Sequence, residues 1–135
     1  MNELLPEKKQ APRPVREGLY RGGQLIAGRS RASGRVFFPK PLKDFQTNTD
    51  TISEFVLGSE CKLFSFTTVH MKTLHFDPPY SIGYVDFPEG VRVFGPIAGN
   101  GHDLKIGMKL KVEIAPLWTE EDGTPILGHR FVPVD

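Results

Sequence analysis

Gly107-Met108-Lys109-Leu110-Lys111-Val112-Glu113-Ile114-Ala115-Pro116 is the stretch that decides the fold. Met108, Leu110, Val112 and Ile114 fall on one side of an extended chain, and Lys109, Lys111 and Glu113 fall on the other. That period of two marks a half-buried strand. Gly107 starts the strand and Pro116 is expected to stop it. Similar short apolar runs occupy residues 61–70, 80–87, 91–97 and 127–132, with a weaker one at 51–57. Pro88-Glu89-Gly90 supplies a tight hairpin between two of them.

No helical period lies between most of these runs, which favours a small closed antiparallel barrel over a parallel sheet. Residues 100–106 interrupt the series after the third main strand, where an oligonucleotide/oligosaccharide-binding (OB) barrel places its connecting segment. The expected fold is therefore mainly β, with an N-terminal arm and ribbon over residues 1–48 and an OB barrel over residues 49–135. Residues 1–15 read as an extended or flexible arm broken by Pro6, Pro12 and Pro14. Residues 16–26 could hold one helical turn before Gly22-Gly23, and residues 28–43 suggest a small hairpin around Val36-Phe37-Phe38.

Composition agrees with this outline. The chain has 135 residues, of which 39% are hydrophobic and 24% charged. Such a chain buries about two-thirds of its surface, which excludes disorder throughout, and it is too polar for a membrane protein. Fourteen glycines and twelve prolines favour turns over long helices. One cysteine allows no internal disulfide, and the first ten residues lack the apolar core of a signal peptide, so a cytoplasmic location with no membrane partner is expected.

Charge is unevenly distributed. Residues 1–48 carry a net charge of +6 and residues 49–135 a net charge of −5. The segments attract each other, so the basic one can dock on the acidic body. Alternatively its Arg29, Arg31, Arg35, Lys40 and Lys43 form a rim for phosphates, which arginine forks suit.

Residues able to carry chemistry are few. His70, His75 and Asp77 could in principle ligate a metal, but their spacing matches no recognised ligand motif, which favours loop or interface roles. Cys61 has no neighbouring base or nucleophile-elbow sequence and reads as an ordinary thiol. The glycine clusters Gly22-Gly23 and Gly99-Asn100-Gly101 fit neither phosphate-loop nor dinucleotide-binding spacing. Phe64, Phe66, Tyr84 and Phe94 could stack bases, although strand aromatics of this kind more often belong to the core. The net negative barrel disfavours nucleic acid, because phosphate neutralisation provides most of that affinity.

Several segments resemble, in order and spacing, an acyl-CoA-associated family that joins a rubredoxin-like zinc ribbon to a C-terminal OB fold. They are Gly23-Gln24-Leu25-Ile26, Arg29-Ser30-Arg31-Ala32-Ser33-Gly34, Phe38-Pro39-Lys40-Pro41, Leu63-Phe64-Ser65-Phe66-Thr67-Thr68-Val69-His70, Pro78-Pro79-Tyr80-Ser81-Ile82-Gly83-Tyr84-Val85-Asp86, Ile106-Gly107-Met108 and Arg130-Phe131-Val132-Pro133. Where that family has Cys-x-x-Cys before glycine, this chain has Ser30 and Ser33, and no cysteine pair follows Pro41. Serine hydroxyls are poor zinc ligands, so no zinc is expected, and packing against the barrel or another subunit must hold the ribbon. The resemblance implies a non-catalytic accessory subunit of a thiolase-like acyl-CoA enzyme, such as an acyltransferase, ketothiolase or aldolase complex. Arg29, Arg31 and Lys40 would contact a coenzyme A thioester, and Phe66, His70 and Tyr80 would form a partner or acyl-path surface. The alternatives are an OB module for single-stranded nucleic acid and a free-standing CoA-thioester hydrolase.

Overall fold

A computed structural model describes residues 11–41 and 52–134. Lys43 and the expected boundary at 48/49 lie outside them. The described chain runs β1 (Arg13–Pro14), β2 (Tyr20–Arg21), β3 (Gln24–Ser30), β4 (Val36–Phe37), β5 (Ile52–Val56), β6 (Glu60–Val69), β7 (Tyr80–Phe87), β8 (Val91–Ile97), a 3-10 turn (Gly101–Asp103), β9 (Lys109–Thr119) and β10 (Pro125–Pro133).

Strands β6, β7 and β8 form an antiparallel meander, β10 meets β8 in parallel, and β9 pairs with both β10 and β6 to close a five-stranded ring. This is the OB barrel expected from the alternating runs. Closure leaves no sheet edge in the ring. Its interior holds the inward residues of each strand, among them Cys61, Leu63, Val85, Phe87, Val93, Leu110 and Phe131. The inward phase expected for Leu110 and Val112 is the one observed.

Pro116 does not end its strand. Strand β9 continues to Thr119, with Leu117 as an extra residue opposite the Ile126/Leu127 step of β10. Beyond Lys111 the other side of β9 has left β6, so the missing N–H of proline interrupts no ladder there.

The N-terminal sheet is built around β3, which pairs with β2 and β4 on one side and with β5 on the other. The weak run near residue 52 is therefore a strand of this sheet, and the barrel begins at β6. The helical turn considered for residues 16–26 is absent; Tyr20 pairs with Leu25 and Arg21 with Gln24 across Gly22 and Gly23, both at positive φ. A two-residue hairpin needs that backbone conformation, and two adjacent glycines adopt it with little strain. Leu25, Ala27 and Leu57 join the barrel's own apolar cluster, so sheet and barrel share one core. Arg13 and Pro14 add a short parallel strand alongside β10, which makes the end of the N-terminal arm extended.

A bulge in β6 sets which of its side chains enter the barrel. Leu63 lies opposite Val85, Ser65 opposite Tyr84, and Phe64 is the additional residue between them. After the bulge the inward positions are Phe66, opposite Gly83, and Thr68, whose hydroxyl lies 3.2 Å from that of buried Ser81.

Candidate functional site

The hairpin between β3 and β4 carries the serines that stand at the cysteine positions of the zinc ribbon. Ser30 is fully buried. Its N–H donates to the Arg35 carbonyl, its carbonyl accepts from Gly34 N–H at 2.7 Å, and its Oγ accepts from Ser33 N–H at 3.2 Å. The Ser30 hydroxyl thus accepts from the backbone of the turn it begins. The only cysteine in the sequence, Cys61, lies in the barrel. Among the described residues, no group of three or more histidine, cysteine or acidic side chains could hold a metal ion. This donor set does not fit zinc.

The three cations singled out in the sequence do not converge. Arg29 lies over the ring of Phe55 at 5.0 Å from its centroid, whereas Lys40 lies 3.8 Å from Glu54. Phe55 and Glu54 are neighbours on β5 and point to opposite faces, so Arg29 and Lys40 serve opposite faces of the sheet. Glu54 also accepts a 2.6 Å hydrogen bond from Arg21, which is the main cause of its lowered pKa. Arg31 is exposed on the hairpin turn, and Arg35 packs on Phe37 beside it. The exposed arginines at this tip are therefore Arg29, Arg31 and Arg35.

His70 and Tyr80 do come together. The end of β6, the start of β7 and the segment containing Gly99, Asn100, Gly101 and His102 surround a groove of about 390 Å³ at one end of the barrel. Gly101 allows this close approach, since a β carbon there would stand 2.4 Å from the Thr68 hydroxyl oxygen. The Asn100 side chain accepts from His102 N–H at 2.9 Å and fixes the turn. Phe66 is not part of the groove lining; the bulge turns it inward, half-buried against the core. His75 and Asp77 have separate partners. His75 stacks on Trp118 with 4.0 Å between ring centres, and Asp77 lies 4.0 Å from Lys72.

Cys61 is buried with its thiol 3.6 Å from the Leu110 carbonyl. Burial, aided by the charge of Glu89, pushes its pKa up to about 12, the opposite of what a nucleophilic thiol needs. Among the described residues, no hydrogen bond joins a histidine ring to a hydroxyl or thiol.

His129 is a residue that the sequence did not single out. It joins the N-terminal sheet to the barrel: its ring packs edge-on to Phe38 at 5.7 Å, and its Nε2 lies 2.8 Å from the Phe94 carbonyl. That contact makes Nε2 the protonated nitrogen, while Nδ1 is buried with no hydrogen-bond partner among the described residues. Burial lowers the His129 pKa below the ordinary 6.5, partly opposed by the Phe94 carbonyl. The unfolded chain therefore takes up this proton first, so its contribution is fully present above about pH 6.5 and declines as pH falls below it. Urea midpoints measured from pH 7.5 to pH 5 are expected to fall, and His129→Gln, which keeps an N–H donor for Phe94, should flatten that fall. An unchanged pH profile in the variant would contradict this assignment.

Residues 56–115 match the model of the ChsH2 C-terminal OB-fold domain. The matched span runs from β6 into β9 and so takes in most of the barrel. The chain is 24% identical over 141 residues to a benzoylsuccinyl-CoA thiolase subunit, BbsA, of Thauera aromatica, covering 97% of this chain and 98% of the relative. The BbsA subunit of Geobacter metallireducens is 27% identical over 75 residues, covering 56% of this chain and 51% of the relative. Among solved structures, a chain of the Ltp2-ChsH2(DUF35) aldolase superposes with a TM-score of 0.69 at 17% identity, covering 82% of this chain and 84% of that one. The thiolase-associated OB-fold family recognised in the sequence is the one to which these relatives lead. No described helix is long and apolar enough to cross a membrane.

Proposed function

We propose that the chain is a non-catalytic accessory subunit of a thiolase-like enzyme that processes CoA thioesters. The observation that carries this reading is the near end-to-end likeness to a benzoylsuccinyl-CoA thiolase subunit. Its chemistry agrees: the sole thiol is buried and protonated, and the histidines serve packing, loop or groove positions. A free-standing hydrolase would need an activated nucleophile, which these side chains do not supply. The ribbon works without zinc, closed by the Ser30 hydrogen bonds and by the core it shares with the barrel.

In this reading Arg29 and Arg31 meet the phosphates of the CoA moiety, while Lys40 serves mainly to hold Glu54. The groove at His70 and Tyr80 forms the acyl-path or partner surface at the end of the barrel. Co-purification from the native host, with the associated protein identified by mass spectrometry, tests the reading. A thiolase-fold protein in stoichiometric amount is expected, and a chain recovered alone at native concentration would contradict it.

The phosphate contact has its own test in that complex. Arg29→Ala combined with Arg31→Ala should weaken CoA-thioester binding about tenfold or more at low salt and flatten its salt dependence, because charge-assisted hydrogen bonds are lost. Lys40→Met should leave both nearly unchanged. Equal affinity and salt slope in wild type and double variant would remove the arginines from the site.

A further inference from the structure

Three aromatic rings on the outside of the barrel are left without a structural role. Phe64 on β6, Tyr84 on β7 and Phe94 on β8 are 45%, 45% and 48% exposed and point away from the apolar interior. Tyr84 and Phe94 are cross-strand partners with ring centres 5.1 Å apart. Arg92 lies 3.3 Å from the centroid of the Phe64 ring, and its Nε and Nη2 hold the two carboxylate oxygens of Asp86 at 2.7 and 3.1 Å. The two-point ion pair and the stacked ring hold this part of the face in one arrangement, which lowers the entropy lost when a partner covers it.

Next to these rings lies a groove of about 390 Å³, lined by Val15, Leu19, Phe38 and Pro39 from the N-terminal part and by Tyr84, Phe94 and His129 from the barrel. The apolar surface is thus continuous across both parts of the chain. Aromatic side chains with a committed arginine are typical of the anchoring centre of a protein interface.

The charge of the face specifies its occupant. Of the two arginines that line the groove, Arg92 is neutralised by Asp86 and Arg16 is exposed, and the chain from residue 49 onward carries a net charge of −5. Polyanion affinity depends on several free cations, so a face with the single exposed Arg16 suits a largely uncharged occupant. A sugar chain needs hydrogen-bonding groups beside the stacking rings, whereas the adjoining groove is lined mainly by valine, leucine, phenylalanine and proline. Building on the accessory-subunit reading, we propose that the outer face of β6–β8 and this groove are where the thiolase-like catalytic subunit docks, through apolar and aromatic side chains of its own.

The test uses the full chain and the purified thiolase-fold protein recovered with it. Tyr84→Ser combined with Phe94→Ser changes only outward positions. By calorimetric titration it should raise the Kd for that protein at least thirtyfold, with little dependence on salt. A double variant with native circular dichroism and an unchanged Kd would overturn the docking surface while leaving the accessory-subunit reading intact. Failure of the wild type to bind any thiolase-fold protein would overturn both. Should the variant fold poorly, hydrogen exchange on the wild-type complex decides the matter, with protection expected over residues 80–87 and 91–97, and no protection there overturning the proposal. Titration with a twenty-nucleotide poly-dT and with a cello-oligosaccharide supplies the remaining arms. Tight binding of either to the wild type, lost in the double variant, would assign the face to that ligand and overturn the protein surface.

Discussion

Phe131→Ala is expected to lower the melting temperature by about 10–25 °C, from about 3–5 kcal/mol of lost packing in a chain of this length. Phe131 is fully buried and lies opposite Val112 on β9 and Ile97 on β8, at the place where the last strand closes the ring. Its ring meets Phe87 and His129 at centroid distances of 6.4 and 5.5 Å. Removing it leaves a void bordered by three strands that the closed ladder prevents from collapsing together. Calorimetry checks the shift directly. A fall of less than about 3 °C would mean that Phe131 is not the packing centre described here.

Gly83→Ala is expected to prevent the barrel from folding. A β carbon at this position would stand 2.2 Å from the Ser65 carbonyl oxygen, 2.9 Å from the Phe66 α carbon and 2.9 Å from Ile97 Cδ1. Ordinary overpacking is relieved by rotating a side chain and costs about 1–3 kcal/mol. Here two of the three neighbours are backbone atoms of the bulged strand, so relief requires that β6 and β7 separate. Gly90→Ala is the comparison: Gly90 has φ +97 but nothing within 4 Å of an added β carbon, so only backbone strain of about 1–2 kcal/mol applies. Soluble yield and far-ultraviolet circular dichroism should separate the two variants. A Gly83→Ala protein with native stability would refute the close approach of β6 and β7.

These two positions also show what could be read in the amino-acid order. Strands β7 and β8 have the limits expected from their alternation, because Pro78-Pro79 precedes the first, Pro88-Glu89-Gly90 separates the two and Gly99 stands just beyond the second. The same alternation held information about the exposed aromatics. Asp86 and Tyr84 share one phase of β7, and Arg92 and Phe94 share one phase of β8, so placing the charges outside places the rings outside as well. Assigning aromatics to the core by residue type alone overrode that signal for Phe64, Tyr84 and Phe94. Phe66 was illegible for a different reason. Its inward orientation follows from the bulge at Phe64, and nothing in the local residues marks where a ladder takes up an extra position.

The site was legible to an uneven degree. His70 and Tyr80 are ten residues apart, yet one directly follows β6 and the other begins the adjacent antiparallel β7, so the strand assignment alone brings them together. Arg29 and Lys40 look like members of one basic cluster, but strand alternation sends their partners Phe55 and Glu54 to opposite faces. That separation depends on the pairing of β3 with β5, two segments far apart in sequence. His129 was missed because its importance comes from Phe94 on β8 and from Phe38 just beyond β4, both distant in sequence.

Assaying CoA release from acyl-CoA thioesters, first with the purified chain alone and then with its thiolase-fold partner added, tests the accessory role most directly. The account predicts no release above buffer by the chain alone and turnover only when the partner is present. Sustained turnover by the isolated chain, at a rate unaffected by the partner, would contradict it.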